Sequence, residues 1–88
     1  MNIDPKRRFL KHLEKITDST QKEEIGQVIE TVKAAKTIKD IPRLRKLKGY
    51  KIHYRIRVGD YRIGLTIVGD LVTLEACMKR KDFYKYFP

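Results

Sequence analysis

The chain has 88 residues, which suffices for a single domain over residues 1–88 but not for a second domain or a large ligand cavity. Its 21 lysines and arginines outnumber its 11 carboxylates, and most of the net charge of +10 falls in residues 40–88, where twelve basic side chains accompany five acidic ones. This excess favours nucleic acid or another polyanion as the partner, with an acidic protein as the alternative.

The first predicted element is a helix over Pro5 to Ile16. Asp4 followed by Pro5 is a helix-start signal, because aspartate caps free N–H groups and proline suits the first turn. His12 on this helix is predicted to be a surface or boundary residue without a role. The buried side of the helix consists of Phe9, Leu10, Leu13 and Ile16.

A second helix is predicted after a break at residues 17–19. Thr20 and Glu23 have capping-box spacing, in which each side chain bonds the backbone N–H of the other. Apolar residues then recur with helical period and predict a helix that ends near Lys36 or Thr37. Its buried face consists of Ile25, Val28, Ile29, Val32 and Ala35.

The second half of the chain predicts three strands, Tyr50–Val58, Tyr61–Val68 and Leu71–Met78, preceded by a basic segment over residues 43–49. Short Gly-Asp connections separate the strands and are typical of hairpin turns, so an antiparallel meander is expected. The predicted fold class is α+β, with two N-terminal helices packed on one face of a three- to four-stranded antiparallel sheet. In the third strand we expect Val72, Leu74, Ala76 and Met78 to face the core, with Thr73, Glu75 and Cys77 opposite.

The most informative pattern is the alternation from Tyr50 to Val58, where apolar residues occupy one parity and cationic or titratable residues the other. Strand side chains point alternately to the two faces, so one face is predicted to be apolar and the other cationic. A cationic run without carboxylates is typical of a surface that meets an anion, most simply a phosphate backbone. The cationic parity consists of Lys51, His53, Arg55 and Arg57.

The same face is predicted to gain further cations from the neighbouring strands. If the hairpin keeps the faces matched, Arg62 lies on the side of His53 and Arg55, and Gly64 leaves a shallow depression beside them. The end of this face is closed by Lys79, Arg80 and Tyr84.

These residue types suit RNA cleavage without a metal ion. That reaction needs a base for the ribose 2′-hydroxyl, cations for the charged phosphorane, an acid for the leaving 5′-oxygen and a group that holds the base. Histidine, arginine and tyrosine can fill these roles without a cofactor. Structural explanations stay open: strand arginines protect sheet edges, Arg62 can pair with Glu75, and Tyr84 can cover the core. The residues alone predict a basic α+β domain that binds RNA or an acidic protein.

Other classes of protein are disfavoured. Cys77 is the only cysteine, which excludes an internal disulfide framework and fits a reducing cytoplasm. No apolar stretch approaches the roughly 20 residues needed to span a bilayer, and the first ten residues lack the apolar core of a signal peptide. The two histidines are far apart and no metal-binding motif occurs, so neither a metal nor another cofactor is expected.

The chain resembles the RelE superfamily of toxins from toxin–antitoxin systems in three segments: residues 44–49, residues 54–63 and residues 79–84. The resemblance implies an endoribonuclease that cuts mRNA, often in the ribosomal A site, and is silenced by a cognate antitoxin. It also implies a strand before the first helix. Because only three residues precede the Asp4-Pro5 pair, that strand is expected to be shortened or missing.

Carried over to this chain, the resemblance implies a metal-free catalytic set. Arg62 and Arg80 match phosphate-stabilising arginines, and Tyr84 matches the tyrosine that contacts the substrate. His53 is the candidate acid–base group, with Tyr84 and Lys51 as alternatives. Arg55, which cannot lose its proton, stabilises negative charge. The residues expected to bind RNA phosphates are Lys48, Lys51, Arg57, Lys79 and Lys81.

Two alternatives remain open at this point. The ParE branch of the superfamily inhibits DNA gyrase without chemistry, and an inactive relative would only bind an antitoxin. The combination of a titratable group, arginines and a stacking ring favours the nuclease. The expected partners are mRNA, the ribosome with its rRNA, and an acidic or amphipathic antitoxin that adds a helix or a strand; no membrane partner is expected.

Overall fold

The structure, a computed structural model that describes residues 1–88, contains a five-stranded mixed sheet and three α-helices. The sheet order is β1-β5-β4-β3-β2, with β1 parallel to β5 and all other pairs antiparallel. None of the helices combines the length and the apolar character needed to cross a bilayer. The elements are β1 (Asn2–Pro5), α1 (Arg7–Glu14), α2 (Ser19–Ala34), β2 (Leu44–Lys46), β3 (His53–Val58), β4 (Tyr61–Val68), β5 (Leu71–Lys79) and α3 (Arg80–Tyr86).

The α+β class and the antiparallel meander of β3, β4 and β5 are confirmed, but the sheet is larger than predicted. Strand β3 begins at His53 and not at Tyr50 as predicted, and Tyr50 and Ile52 before it are exposed. The basic segment before it supplies a further edge strand, β2, which pairs with β3.

The first strand, which was expected to be shortened or missing, is present and has four residues. Strand β1 pairs in parallel with β5, from Asn2 opposite Leu71 to Pro5 opposite Leu74. Proline is tolerated there because it ends an edge strand, where its missing N–H costs little. Helix α1 consequently begins at Arg7, and Asp4 is a strand residue instead of a helix cap.

Helix α2 matches its predicted span more closely, although a different residue caps it. The Asp18 carboxylate accepts hydrogen bonds from the N–H groups of Thr20 and Gln21 at 3.0 and 3.1 Å, so Asp18 is the N-cap in place of Thr20. Helices α1 and α2 cover one face of the sheet, as predicted. The buried residues of α2 are Ile25, Val28 and Val32.

A β-bulge in β5 changes which of its side chains reach this core. Glu75 is an extra residue between the pairs Gly64–Ala76 and Leu65–Leu74. Because side chains alternate along a strand, one extra residue reverses the faces of those that follow. The predicted faces are therefore right before the bulge and wrong beyond it: Cys77 joins the core beneath α1 and α2, whereas Ala76 and Met78 lie on the opposite face.

Helix α3, which the sequence did not predict, packs on that opposite face and builds a second, smaller core. Phe83 in α3 and Phe87 just after it are buried there against Ala76, with their ring centroids 5.1 Å apart. A Cβ added at Gly64 would lie 2.8 Å from atoms of the Phe87 ring. The depression predicted at Gly64 is therefore filled by Phe87.

Candidate nucleic-acid interface

Two basic clefts open on the α3 side of the sheet and meet at Tyr84. The first, here the strand cleft, has a volume of about 520 Å³ and runs along β2 and β3. The second, the helix cleft, has a volume of about 620 Å³ and lies at the start of α3. The strand cleft is lined by Arg43, Arg45, Lys46, Leu47, Lys48, Arg55, Arg57 and Tyr84. The helix cleft is lined by Asp60, Lys79, Arg80, Lys81 and Tyr84.

Arginines stand opposite one another across the strands of this surface. Arg45 is in register with Arg55 across β2 and β3, and Arg57 is in register with Arg62 across β3 and β4. Like charges directly opposite in a sheet destabilise it. The salt bridges of the structure lie elsewhere, at Lys6–Glu75 and Lys33–Glu30. Bound anions would therefore relieve repulsion that the free protein contains.

Arg62 differs from the other arginines because its side chain is buried. It is 5% exposed, and its Nη1 donates hydrogen bonds to the carbonyls of Gly59 and Tyr61, each at 2.9 Å. Burial lowers the pKa of the Arg62 guanidinium, Arg57 lowers it further, and the nearby Tyr84 opposes the shift. The guanidinium nevertheless stays charged, since arginine does not lose its proton in proteins.

Glu75, the carboxylate with which Arg62 could pair according to the sequence, binds other residues instead. It forms a salt bridge with Lys6 and accepts a hydrogen bond from the Thr66 hydroxyl at 3.4 Å. Arg62 is thus held by backbone carbonyls and faces a second arginine without a carboxylate in between.

Tyr84 is held at the junction of the clefts by its neighbours in α3. Phe83 is fully buried while Tyr84 is 57% exposed, and the two rings meet at 90° with centroids 5.2 Å apart. At the start of the helix, the Arg80 N–H donates to the Asp60 carbonyl at 3.0 Å, which ties α3 to the β3–β4 turn. An exposed ring between two cationic clefts is suited to stack on a nucleic-acid base.

His53 lines neither cleft. Its ring packs edge-on against Tyr50 and Phe87, with centroid distances of 5.2 and 5.8 Å. Lys51 also lines neither cleft. The predicted residues that the structure brings together are Lys48, Arg55, Arg57, Lys79, Arg80, Lys81 and Tyr84, with Arg62 buried beside them.

Three further cations line the strand cleft without having been predicted as site residues: Arg43, Arg45 and Lys46. The signal for them was the basic segment before the first predicted strand. The sequence of this segment does not mark it as a strand, so the register that sets Arg45 against Arg55 cannot be predicted from it.

Comparison with known proteins identifies the family. No family model matches the chain. Toxin RelE3 of Methanocaldococcus jannaschii is 37% identical over 81 residues, 91% of each chain. A chain of the crystal structure of the RelB-RelE antitoxin-toxin complex from Methanococcus jannaschii has a TM-score of 0.79 at 32% identity, over 97% of this chain and 99% of that one. An archaeal RelE-RelB complex from Pyrococcus horikoshii OT3 has a TM-score of 0.70 at 17% identity, over 90% and 93% of the two chains, and supports the fold alone. With 37% identity along nearly its whole length, this chain belongs to the RelE family of toxins from toxin–antitoxin systems.

Proposed function

We propose that this toxin is a metal-free endoribonuclease that cuts mRNA on the ribosome and is silenced by a cognate antitoxin. The observation that carries the proposal is the meeting of two basic clefts at the exposed ring of Tyr84. Opposed arginines without carboxylate partners favour a ligand that brings its own negative charge. Membership in the RelE family supports the same reaction.

In this proposal the cleft arginines stabilise charge on the scissile phosphate. Arg55 and Arg57 lie in the strand cleft and Arg80 in the helix cleft, on either side of Tyr84. Guanidinium groups match phosphate oxygens in geometry, and charge developing on the phosphorane strengthens these interactions in the transition state. Arg62 adds its charge from below, and its bonds to Gly59 and Tyr61 hold the turn to which α3 is attached.

The proton transfers are assigned to titratable groups that line the strand cleft, which are Lys46, Lys48 and Tyr84. Arginine cannot act as a base at accessible pH. His53 fits this role only if its ring leaves its contacts with Tyr50 and Phe87. Tyr84 in addition stacks on the base that follows the phosphate, which keeps the attacking and leaving oxygens in line.

Binding is expected to depend strongly on salt and to be blocked by the antitoxin. Phosphates along the RNA are assigned to Lys48, Arg57, Lys79 and Lys81, and to Lys51 beside the clefts. Each contact releases counterions, so affinity falls steeply as salt rises. A relative of 32% identity was crystallised in a RelB-RelE antitoxin-toxin complex, which supports an antitoxin as partner here. Acidic side chains of the cognate antitoxin would neutralise the positive charge of both clefts and so block RNA.

Mapping mRNA 5′ ends after induction in growing bacterial cells tests the proposal. New ends inside translated codons are expected with the wild-type toxin and with Lys22→Ala, an exposed control on α2, but not with Arg80→Ala. Arg80 is the better probe than Arg62 because it is exposed, so its loss should leave the fold intact. Growth arrest without new ends but with DNA-damage signalling would indicate a gyrase inhibitor, and no arrest would indicate an inactive relative.

A further inference from the structure

Strand β5 continues beyond the end of its parallel neighbour. The last bond between the two segments runs from the Lys6 N–H to the Leu74 carbonyl at 3.0 Å, whereas β5 extends to Lys79. The backbone groups that follow Leu74 on this edge have no partner strand. Buried or half-buried backbone groups need partners, so something else must bind them.

Two side chains of α1 take the place of the missing strand. The Arg8 Nε donates to the Glu75 carbonyl at 3.1 Å, and the Cys77 N–H donates to His12 Nδ1 at 3.0 Å. Residues four apart on a helix lie on one face, separated by about 6 Å along the axis. The Glu75 carbonyl and the Cys77 N–H lie on either side of Ala76 along the strand. Arg8 and His12, on one face of α1, therefore bind two backbone groups that a continuing strand would otherwise pair.

We infer that His12 is a positioning residue, which fixes the end of β5 and thereby the place of Arg80 and Tyr84 at the clefts. Its bond to Cys77 lies just after the bulge and three residues before Arg80, where α3 begins. The catalytic consequence rests on the proposed nuclease function, whereas the structural consequence does not. His12 itself lines neither cleft, so it acts through the strand and not on RNA.

The bond exists only while His12 is neutral. Accepting through Nδ1 places the ring proton on Nε2, and a protonated imidazole would instead point an N–H at the Cys77 N–H. Burial lowers the pKa of His12, and the nearby Arg8 and Lys15 lower it further. The cationic or titratable groups around it are Arg7, Arg8, Lys11 and Lys15 from α1 and its end, Tyr61 from β4, Cys77 and Lys79 from β5, and Asp82 and Tyr86 from α3.

A lowered pKa in the folded protein fixes the sign of the pH effect. The contribution of His12 is fully present above its unfolded pKa, near 6.5, and is lost as the pH falls through the lower folded value. Acidification should accordingly loosen the end of β5 before it unfolds the domain.

Amide hydrogen exchange measured by NMR, together with mRNA cleavage in a reconstituted translation reaction, tests the inference. His12→Asn keeps an acceptor near the Nδ1 position and cannot titrate, whereas His12→Ala removes the acceptor. Lys22→Ala, at an exposed position on α2, is the control. His12→Ala should lower protection of the Cys77 and Arg80 amides about tenfold, the size expected for one lost hydrogen bond, and should slow cleavage. His12→Asn should retain both the protection and the cleavage rate. It should also abolish the loss of Cys77 protection that acidification causes in the wild type.

Unchanged protection of Cys77 and Arg80 in His12→Ala would overturn the inference, as would an acid-induced loss of protection that persists in His12→Asn. If His12→Ala does not fold, the protection of the Cys77 amide across pH in the wild type and in His12→Asn is sufficient to test the positioning role. Absence of cleavage by the wild type would overturn the nuclease proposal instead, and the amide measurements would still decide the positioning role.

Discussion

Replacing Gly64 by alanine tests the packing of the Phe87 ring on the sheet. An added Cβ would lie 2.8–2.9 Å from three atoms of the Phe87 ring, and Phe87 is only 6% exposed, so it has little room to retreat. Overpacking of a core costs about 1–3 kcal/mol. Alanine in place of a strand glycine gains back about 0.5–1 kcal/mol of conformational entropy. Gly64→Ala should therefore destabilise the domain by up to about 2.5 kcal/mol.

The same substitution should change sign once the ring is removed. Phe87→Ala alone costs about 3–5 kcal/mol, but it empties the space above Gly64, so a further Gly64→Ala should gain about 0.5–1 kcal/mol. Urea denaturation followed by circular dichroism of the four proteins gives the coupling energy, which we expect to be about 1–3 kcal/mol. Phe87→Leu replaces Phe87→Ala if the latter does not fold. Equal effects of Gly64→Ala on stability with and without the Phe87 ring would refute the close contact between Gly64 and Phe87.

Three further predictions concern the charges of the site and the buried thiol. Arg55→Gln should slow mRNA cleavage. It should also raise the free energy of unfolding of the free protein by about 0.2–1 kcal/mol, the usual size of a cross-strand pair interaction, because it removes the repulsion between Arg55 and Arg45. A variant less stable than the wild type would contradict that repulsion. Arg45→Gln with Lys46→Gln should reduce the slope of log affinity for single-stranded RNA against log salt by about 0.7 per lost phosphate contact, and an unchanged slope would place RNA outside the strand cleft. Burial raises the pKa of the Cys77 thiol to about 12, so iodoacetamide at pH 8 should label it only in urea, and labelling of the native protein at the unfolded rate would contradict its burial.

The buried thiol of Cys77 should also make the stability of the domain fall at high pH. Its folded pKa lies above the ordinary value of 9.0, so the protonated thiol favours the folded state. That contribution is fully present below pH 9 and is lost as the pH rises toward 12. A denaturation series across this range should show falling stability, and Cys77→Ala should remove this part of the decline.

The meander was predictable because its signals are local. Gly59 and Gly69 adopt φ of 57° and 59°, the left-handed conformation that hairpin turns require and glycine adopts readily. The bulge at Glu75 has no such signal, since a polar residue in an alternating strand reads as an ordinary outward position. Strand β1 was hidden for another reason: Asp4-Pro5 is a strong local helix signal, and pairing with a strand about 70 residues away overrides it.

The candidate site was predictable in its charge and its face but not in its geometry. Parity alone places Arg55 and Arg57 together on one face. It cannot show that α3 folds back over this face, that Phe87 covers His53, or that Arg62 is buried. The role inferred for His12 was also out of reach, because its partner lies 65 residues away and the bond exists only in the folded chain.

The burial of Arg62 connects catalysis with inhibition in the proposed mechanism. A buried charge is costly unless hydrogen bonds and an opposite charge compensate it. Two backbone carbonyls accept hydrogen bonds from the Arg62 guanidinium. Its neighbour across the sheet is Arg57, however, and no salt bridge provides an opposite charge. A phosphate at the junction of the clefts would provide the missing charge, and so would a carboxylate of the antitoxin. Substrate and antitoxin would then gain affinity from the same uncompensated cations, so weakening one interaction by removing a cleft arginine should weaken the other as well.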